Sequence, residues 1–351
     1  VFKAHDSRTS ITSLDFDDTG ELAVIARDDD TLQIYNCREG KHAKELKSHK
    51  YGVHLARFSH HTQSVIYAST KIDGKATTSA FISPPDLLDT IRFLSVHDNS
   101  FIRYFKGHTD LVTNITLCPS NDTFLSCSRD NTVLLWNLQS QNYQGKLKLA
   151  TPYLAAYDAA ALVIAIASPS TSHIMLYDIR NYDQGPFGEF DMGRYEEQFL
   201  TKGAEWTKLE FTNDGKHLIL STTGAGHFVL DAFEGHLVHF AYRKEGHSGR
   251  VGPAITPPSR IPGQRDGITA TAGQGDTCVS PDGRYLLGGT GESAIAIWDI
   301  SKEPASNQYL QPFDHLPGRG KAPIVGYNPR VNLLVSGDKD LYMWQPDPEM
   351  M

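Results

Sequence analysis

Seven times along this chain an apolar run closes on an aromatic residue or leucine followed by a polar residue. The positions are Tyr35-Asn36, Leu94-Ser95, Trp136-Asn137, Tyr177-Asp178, Leu230-Asp231, Trp298-Asp299 and Trp344-Gln345. A period of this kind constrains the fold more than any bulk property. Each unit is too small to bury its own apolar face, so it must stack on its neighbours. The regular intervals are 42 residues from Leu94 to Trp136, 41 from Trp136 to Tyr177 and 46 from Trp298 to Trp344. These match a unit of roughly 40–45 residues built from four short strands. Two intervals are longer, carrying insertions at 74–88 and 249–276, and a third is stretched modestly around Met192 to Gly203. The insertions are rich in Pro, Gly and small polar residues, which do not build a strand ladder, and both read as surface loops. With them set aside no second domain remains, and residues 1–351 read as one domain.

The clearest unit runs from Gly107-His108 through Val112–Leu117 to Phe124–Asn137. This is the WD-repeat pattern. Asp130 falls in the tight turn between the second and third strands, where a short carboxylate bonds nearby backbone. His108, a serine of the second strand (Ser126 or Ser128) and Trp136 are expected to join Asp130 in a buried network, since each buried polar group needs a partner. Acidic residues recur six positions before the closing residue at Asp29, Asp130, Glu292 and Asp338. The expectation is an all-β chain: a single seven-bladed WD-repeat β-propeller. Val1-Phe2 would supply the outer strand of the last blade and so remove a free sheet edge.

The formal net charge of −8 argues against non-specific binding to nucleic acid or anionic lipid. No stretch reaches the roughly 20 apolar residues of a membrane helix. Cys37, Cys118, Cys127 and Cys278 lack the paired spacing of a zinc site or disulfide framework and read as buried thiols. His60-His61 with His54 could suggest a metal, but adjacent side chains on a strand point apart. In Asp28-Asp29-Asp30 one carboxylate reads as a turn residue and the others as solvated. Gly288–Gly291 lacks the Lys-Ser/Thr of a phosphate loop. His108, Ser126 and Asp130 mimic a catalytic triad, yet their repeat positions make them scaffold. No catalytic, cofactor-binding or metal-ligating set is expected. Arg243, Lys244, Arg250, Arg260 and Arg265 make the second insertion basic, and read as a solvated loop.

Several runs carry a narrower resemblance: Lys50–Val53, Asp98–His108, Asn121–Ser126, Tyr177–Arg180 with Gly185–Phe187, Glu205–Thr207 and Leu230–Phe233. Together they resemble the WD-repeat subunit of the COMPASS histone lysine methyltransferase complex. That subunit is shared, in its fungal form, with the mRNA cleavage and polyadenylation factor and, in its animal form, with a nuclear protein-phosphatase complex. The resemblance runs through nearly the whole chain and weakens from Arg243 to Gln274. It implies a non-catalytic nuclear scaffold that binds a segment in the N-terminal region of the SET-domain catalytic subunit. It also implies a competing segment of a cleavage and polyadenylation factor subunit, and a connection with the phosphorylated tail of RNA polymerase II.

Peptides bind propellers near the channel mouth. The candidate contacts therefore flank the first strands and the tight turns: Asp28, His54, Thr113, Arg129, Glu205 and Thr207. A ubiquitin-ligase substrate receptor is the alternative adaptor, but it would carry a further adaptor-binding domain. A propeller enzyme would need titratable residues converging on a pocket.

Overall fold

In a computed structural model, residues 2–4, 9–71, 89–200, 204–243, 275–291, 294–317 and 322–346 are described. Seven sheets, each with an antiparallel four-stranded core, follow one another around a ring. Their third strands end at Asn36, Ser95, Asn137, Asp178, Asp231, Asp299 and Trp344, the closing positions read from the repeat, with Trp344 last and Gln345 just beyond. Blade one comprises Ile11–Phe16, Leu22–Arg27, Thr31–Asn36 and Lys41–Lys47; blade three comprises Val112–Leu117, Thr123–Ser128, Thr132–Asn137 and Gly145–Lys148. The chain is a seven-bladed WD-repeat β-propeller.

Ring closure uses the N-terminal segment. Phe2–Ala4 pairs antiparallel with the third strand of blade seven, Phe2 opposite Met343 and Ala4 opposite Leu341. Val1 lies outside the described residues.

Period-two alternation explains the core. In blade three Phe124, Leu134 and Trp136 face blade two, where Phe105 meets Phe124 at 5.1 Å and Trp136 at 5.5 Å between ring centroids. Leu125, Cys127 and Val133 face blade four instead. Apolar contact is thus concentrated in the seams, each sheet burying both faces. Polar bonds cross the seams as well: Ala56 N donates to Ser13 Oγ (3.0 Å), Lys208 Nζ to Thr277 O (2.9 Å), and Ile11 N to Asp338 O (2.7 Å).

Three features depart from the repeat. The stretch after Met192 is a helix, Gly193–Phe199, burying Tyr195 and Phe199 one turn apart. Its Glu196 accepts from Ser172 of blade four (2.6 Å) and from the Trp206 indole of blade five (2.8 Å), tying those blades together. Second, Tyr309–Leu310 leaves blade six to run parallel beside Leu237–Tyr242 as a fifth strand on blade five. Third, Arg243 is not a solvated loop residue. It is 1 % exposed and donates to Thr222 O, Gly224 O and Gly275 O (3.1–3.3 Å) and to His227 Nε2. Those carbonyls replace water, which is what permits burial. The insertion 74–88 lies outside the described residues, as does 249–276 apart from its last two. Gly275 and Asp276 are already in the ring, both backbone N–H groups bonded to Pro323 O.

Candidate partner-binding site

In blade three, His108 Nδ1 lies 3.0 Å from Asp130 Oδ2 and its Nε2 lies 2.6 Å from Ser126 Oγ. Trp136 Nε1 donates to Ser126 Oγ at 2.8 Å. Ser126, not Asp130, therefore receives the indole; Ser128 bonds instead to Asp110 O. Burial opposes charge on Asp130. The bonds from His108, Thr132 and the Thr109 N–H outweigh it and hold the carboxyl below the usual range. Gly107 belongs to the same packing, since a Cβ there would meet the Trp136 ring at 2.9 Å.

The tryptophans of the other blades show what that serine does. Ser336 occupies the Ser126 position in blade seven, and Trp344 Nε1 donates to it at 2.9 Å. Blade six has Gly288 there. Trp298 lacks the hydroxyl and turns its N–H to Tyr242 O (3.1 Å), with His227 packed edge-on against it.

The ring has two faces. Turns between second and third strands, and the blade-to-blade connections, lie on one, here the top; the remaining turns lie on the bottom. The six candidate contacts are top-face residues but differ in reach. Asp28 and Arg129 are exposed and Glu205 is half-buried. His54, Thr113 and Thr207 are each at most 6 % exposed. Thr113 and Thr207 are the bulge residues of first strands, and their hydroxyls donate into the next blade, to Tyr153 O (2.9 Å) and Gly275 O (3.4 Å). Burial, then the Arg57 and Arg129 charges, push His54 down to about 3, so its ring is neutral. The acidic turn is more bonded than its sequence implied. Asp28 accepts from Ser10 N, Asp29 from Thr31, and Asp30 from Lys71.

On the bottom face His60 lies in a turn rather than on a strand, and it joins three blades. Nδ1 is 2.7 Å from Asp18 of blade one, and Nε2 is 2.9 Å from Cys118 O of blade three. Burial works against its charge, but these acceptors raise its pKa.

The repeat family described as WD domain, G-beta repeat matches residues 1–36 and 99–137. Set1 complex component swd2 of Schizosaccharomyces pombe is 34% identical over 95% of this chain and 92% of its own length. WD repeat-containing protein 82 of Drosophila melanogaster is 32% identical over 98% of this chain and 93% of its own. COMPASS component SWD2 of Saccharomyces cerevisiae is 31% identical, covering 95% and 91%. The chain belongs to this Swd2-type family of WD-repeat proteins.

The Swd2-type ring carries a charged channel wall that reading for partner contacts missed. Asp15, Arg57, Lys208, Glu210 and Asp276 lie there, Lys208 Nζ bonding Glu210 at 2.7 Å. Burial pushes Asp15 up to about 6, against the pull of Arg57, backbone N–H groups and Lys208. Asp276 is pushed to about 6 in the same way, opposed by Lys208 and Arg57. The signal was present: Asp15, Lys208 and Glu210 put charge into first strands that otherwise carry none. Among the described residues no group of three or more His, Cys, Asp or Glu is placed to hold a metal. All four cysteines are buried and free, and burial pushes the thiols of Cys37, Cys127 and Cys278 up, Cys37 to about 12. Such thiols are poor nucleophiles.

Proposed function

We propose that this chain is a non-catalytic scaffold subunit of a nuclear, COMPASS-type histone lysine methyltransferase complex. One observation carries the reading: near full-length similarity to two proteins named as components of that complex, at 34% and 31% identity. The ring's contribution is a rigid frame whose top-face residues meet a short segment from the N-terminal region of the SET-domain catalytic subunit. Asp28, Arg129 and Glu205 keep accessible surface for that contact, whereas His54, Thr113 and Thr207 act through the wall behind it. A segment of a cleavage and polyadenylation factor subunit uses the same surface, giving the ring a second role in mRNA 3′-end processing and transcription termination. A short peptide must bury a few anchors to offset its ordering entropy, and a propeller face offers few places for them.

Affinity purification of the tagged chain from nuclear extract tests the assignment. The SET-domain subunit should co-purify; recovery of a ubiquitin-ligase assembly in its place rejects the proposal. Mixing the purified ring with both segments, one labelled, tests sharing, because competition is expected and a ternary complex of undiminished affinity excludes a common site. Arg129→Glu should weaken binding with unchanged melting temperature.

A further inference from the structure

Blade two ends on Phe101–His108, at eight residues the longest strand among those described. Its inner edge pairs with Asp89–Ser95, and no described strand covers its outer edge. Long open edges invite pairing with another chain, and proteins ordinarily blunt them. The rest of this ring does so. Blade one closes on Lys41–Lys47, a strand dense in charge; blades three, four and six close on strands of four residues; blade seven closes on three. Blade five covers its edge with Tyr309–Leu310, so an outer edge of this fold does accept an added strand. Among the described strands none pairs with blade two's outer edge, whose eight residues carry only Arg103 and Lys106 as full charges, with Ile102 48% exposed.

That edge is also stiff. Tyr51, Phe101 and Tyr104 pack round the buried Arg92 guanidinium, whose carbon sits 3.4 Å from the Tyr51 ring centroid and 5.1 Å from that of Tyr104. A strand held this way loses little freedom on pairing.

Its upper end opens on a cavity of about 520 Å³ between blades two and three. Gly107 and Thr109 form one wall, Lys146 and Lys148 of blade three the other. Lys146 and Lys148 are exposed, and neither is ion-paired among the described residues. Asp130, the acid on the cavity wall, is occupied by His108, Thr109 and Thr132. In a chain of net charge −8 this is a local inversion of sign.

We propose that the outer edge of blade two docks an extended acidic segment of a partner protein, which adds as a fifth strand along Phe101–His108 and lays its carboxylates against Lys146 and Lys148. Backbone pairing supplies register, and alternate side chains of the added strand share one face. Acidic residues at alternate positions therefore reach the lysines together. The inference stands on blades two and three and not on which complex holds the ring.

The probe is a short labelled peptide alternating Glu and Val, titrated with the intact protein at low and physiological salt. Saturable binding is expected, weakening with salt as screening shortens the reach of the lysines. The double variant Lys146→Glu/Lys148→Glu should weaken it by about tenfold or more, with unchanged melting temperature because both side chains are exposed. The same peptide N-methylated at every residue keeps its charge but has no backbone N–H to donate at either edge, and should not bind. Hydrogen exchange should slow at Phe101–His108 when the parent peptide is present. Absence of binding, equal binding by the N-methylated peptide, protection elsewhere on the ring, or indifference to the double variant would each overturn the proposal.

Discussion

Blade three and the seam between blades five and six hold comparable buried polar networks by different means. In blade three, His108, Ser126, Asp130 and Trp136 come from one repeat and its entry, and every partner is a repeat position. At the other seam the centre is Arg243, a cation 1 % exposed, bonded to neutral His227 and to carbonyls that include Gly275 at the end of the long insertion. Burial and the Arg243 charge keep His227 well below the ordinary imidazole range. The two arrangements connect through Gly288: where blade three has the Ser126 hydroxyl, blade six has none, and Trp298 and His227 repack in its absence. A repeat motif is thus one way to satisfy a blade's buried groups, and a neighbouring blade can supply another.

The comparison can be broken by removing each centre. The largest effect is expected for Arg243→Met. It leaves His227 Nε2 and several carbonyls unpaired at about 1–3 kcal/mol each, so a loss of about 3 kcal/mol or more should appear in chemical denaturation. It also frees Gly275 from the guanidinium. A midpoint equal to that of the parent protein would mean that the insertion's stems are held without Arg243.

Next in size is Asp130→Ala, which strands the Thr109 and Thr132 N–H groups, leaves His108 Nδ1 only Thr132 Oγ1 at 3.2 Å, and should cost about 1–3 kcal/mol. The damage should stop at His108, because Trp136 keeps Ser126. The depressed carboxyl adds a sign test. Its stabilisation is present above the unfolded pKa near 3.8 and is lost as pH falls through the folded value. The gap between parent and variant should therefore close in strong acid. A gap that stays constant down to pH 2 would deny Asp130 its charged role.

A smaller and opposite effect is expected in the channel. Asp15 titrates near 6 in the folded chain against 3.8 unfolded, so its favourable linkage exists below 3.8 and is lost as pH rises through 6. Above that the ionised group destabilises the ring, although Arg57 and Lys208 offset part of it. Asp15→Asn should raise the melting temperature by about 2–4 °C at pH 7.5 and by nothing at pH 4. A loss at pH 7.5 would show that the Arg57 attraction outweighs burial. Exposed Asp183, placed in neither network, sets the floor: Asp183→Ala should move stability by less than about 0.5 kcal/mol.

Sequence by itself determined the blade count, the strand ends and the turns, because these follow from local chemistry. Alternating side chains make a half-buried strand wherever they occur, and Asp214-Gly215 and Asp282-Gly283 turn the chain because glycine takes the φ of +70° and +72° found there. The residues of the blade-three network were legible for the same reason, although only the structure chose Ser126 over Ser128. Tertiary structure alone decided the rest. Gly193–Phe199 becomes a helix because Ser172 and Trp206, on two blades, both need Glu196. Tyr309–Leu310 becomes a strand because blade five leaves an edge for it. Arg243 is buried because carbonyls on two other stretches of chain converge on it, and Asp15 titrates high because ring closure buries its carboxyl. Each depends on groups brought together from far apart in sequence, and no local pattern encodes a desolvation that exists only after the ring has closed.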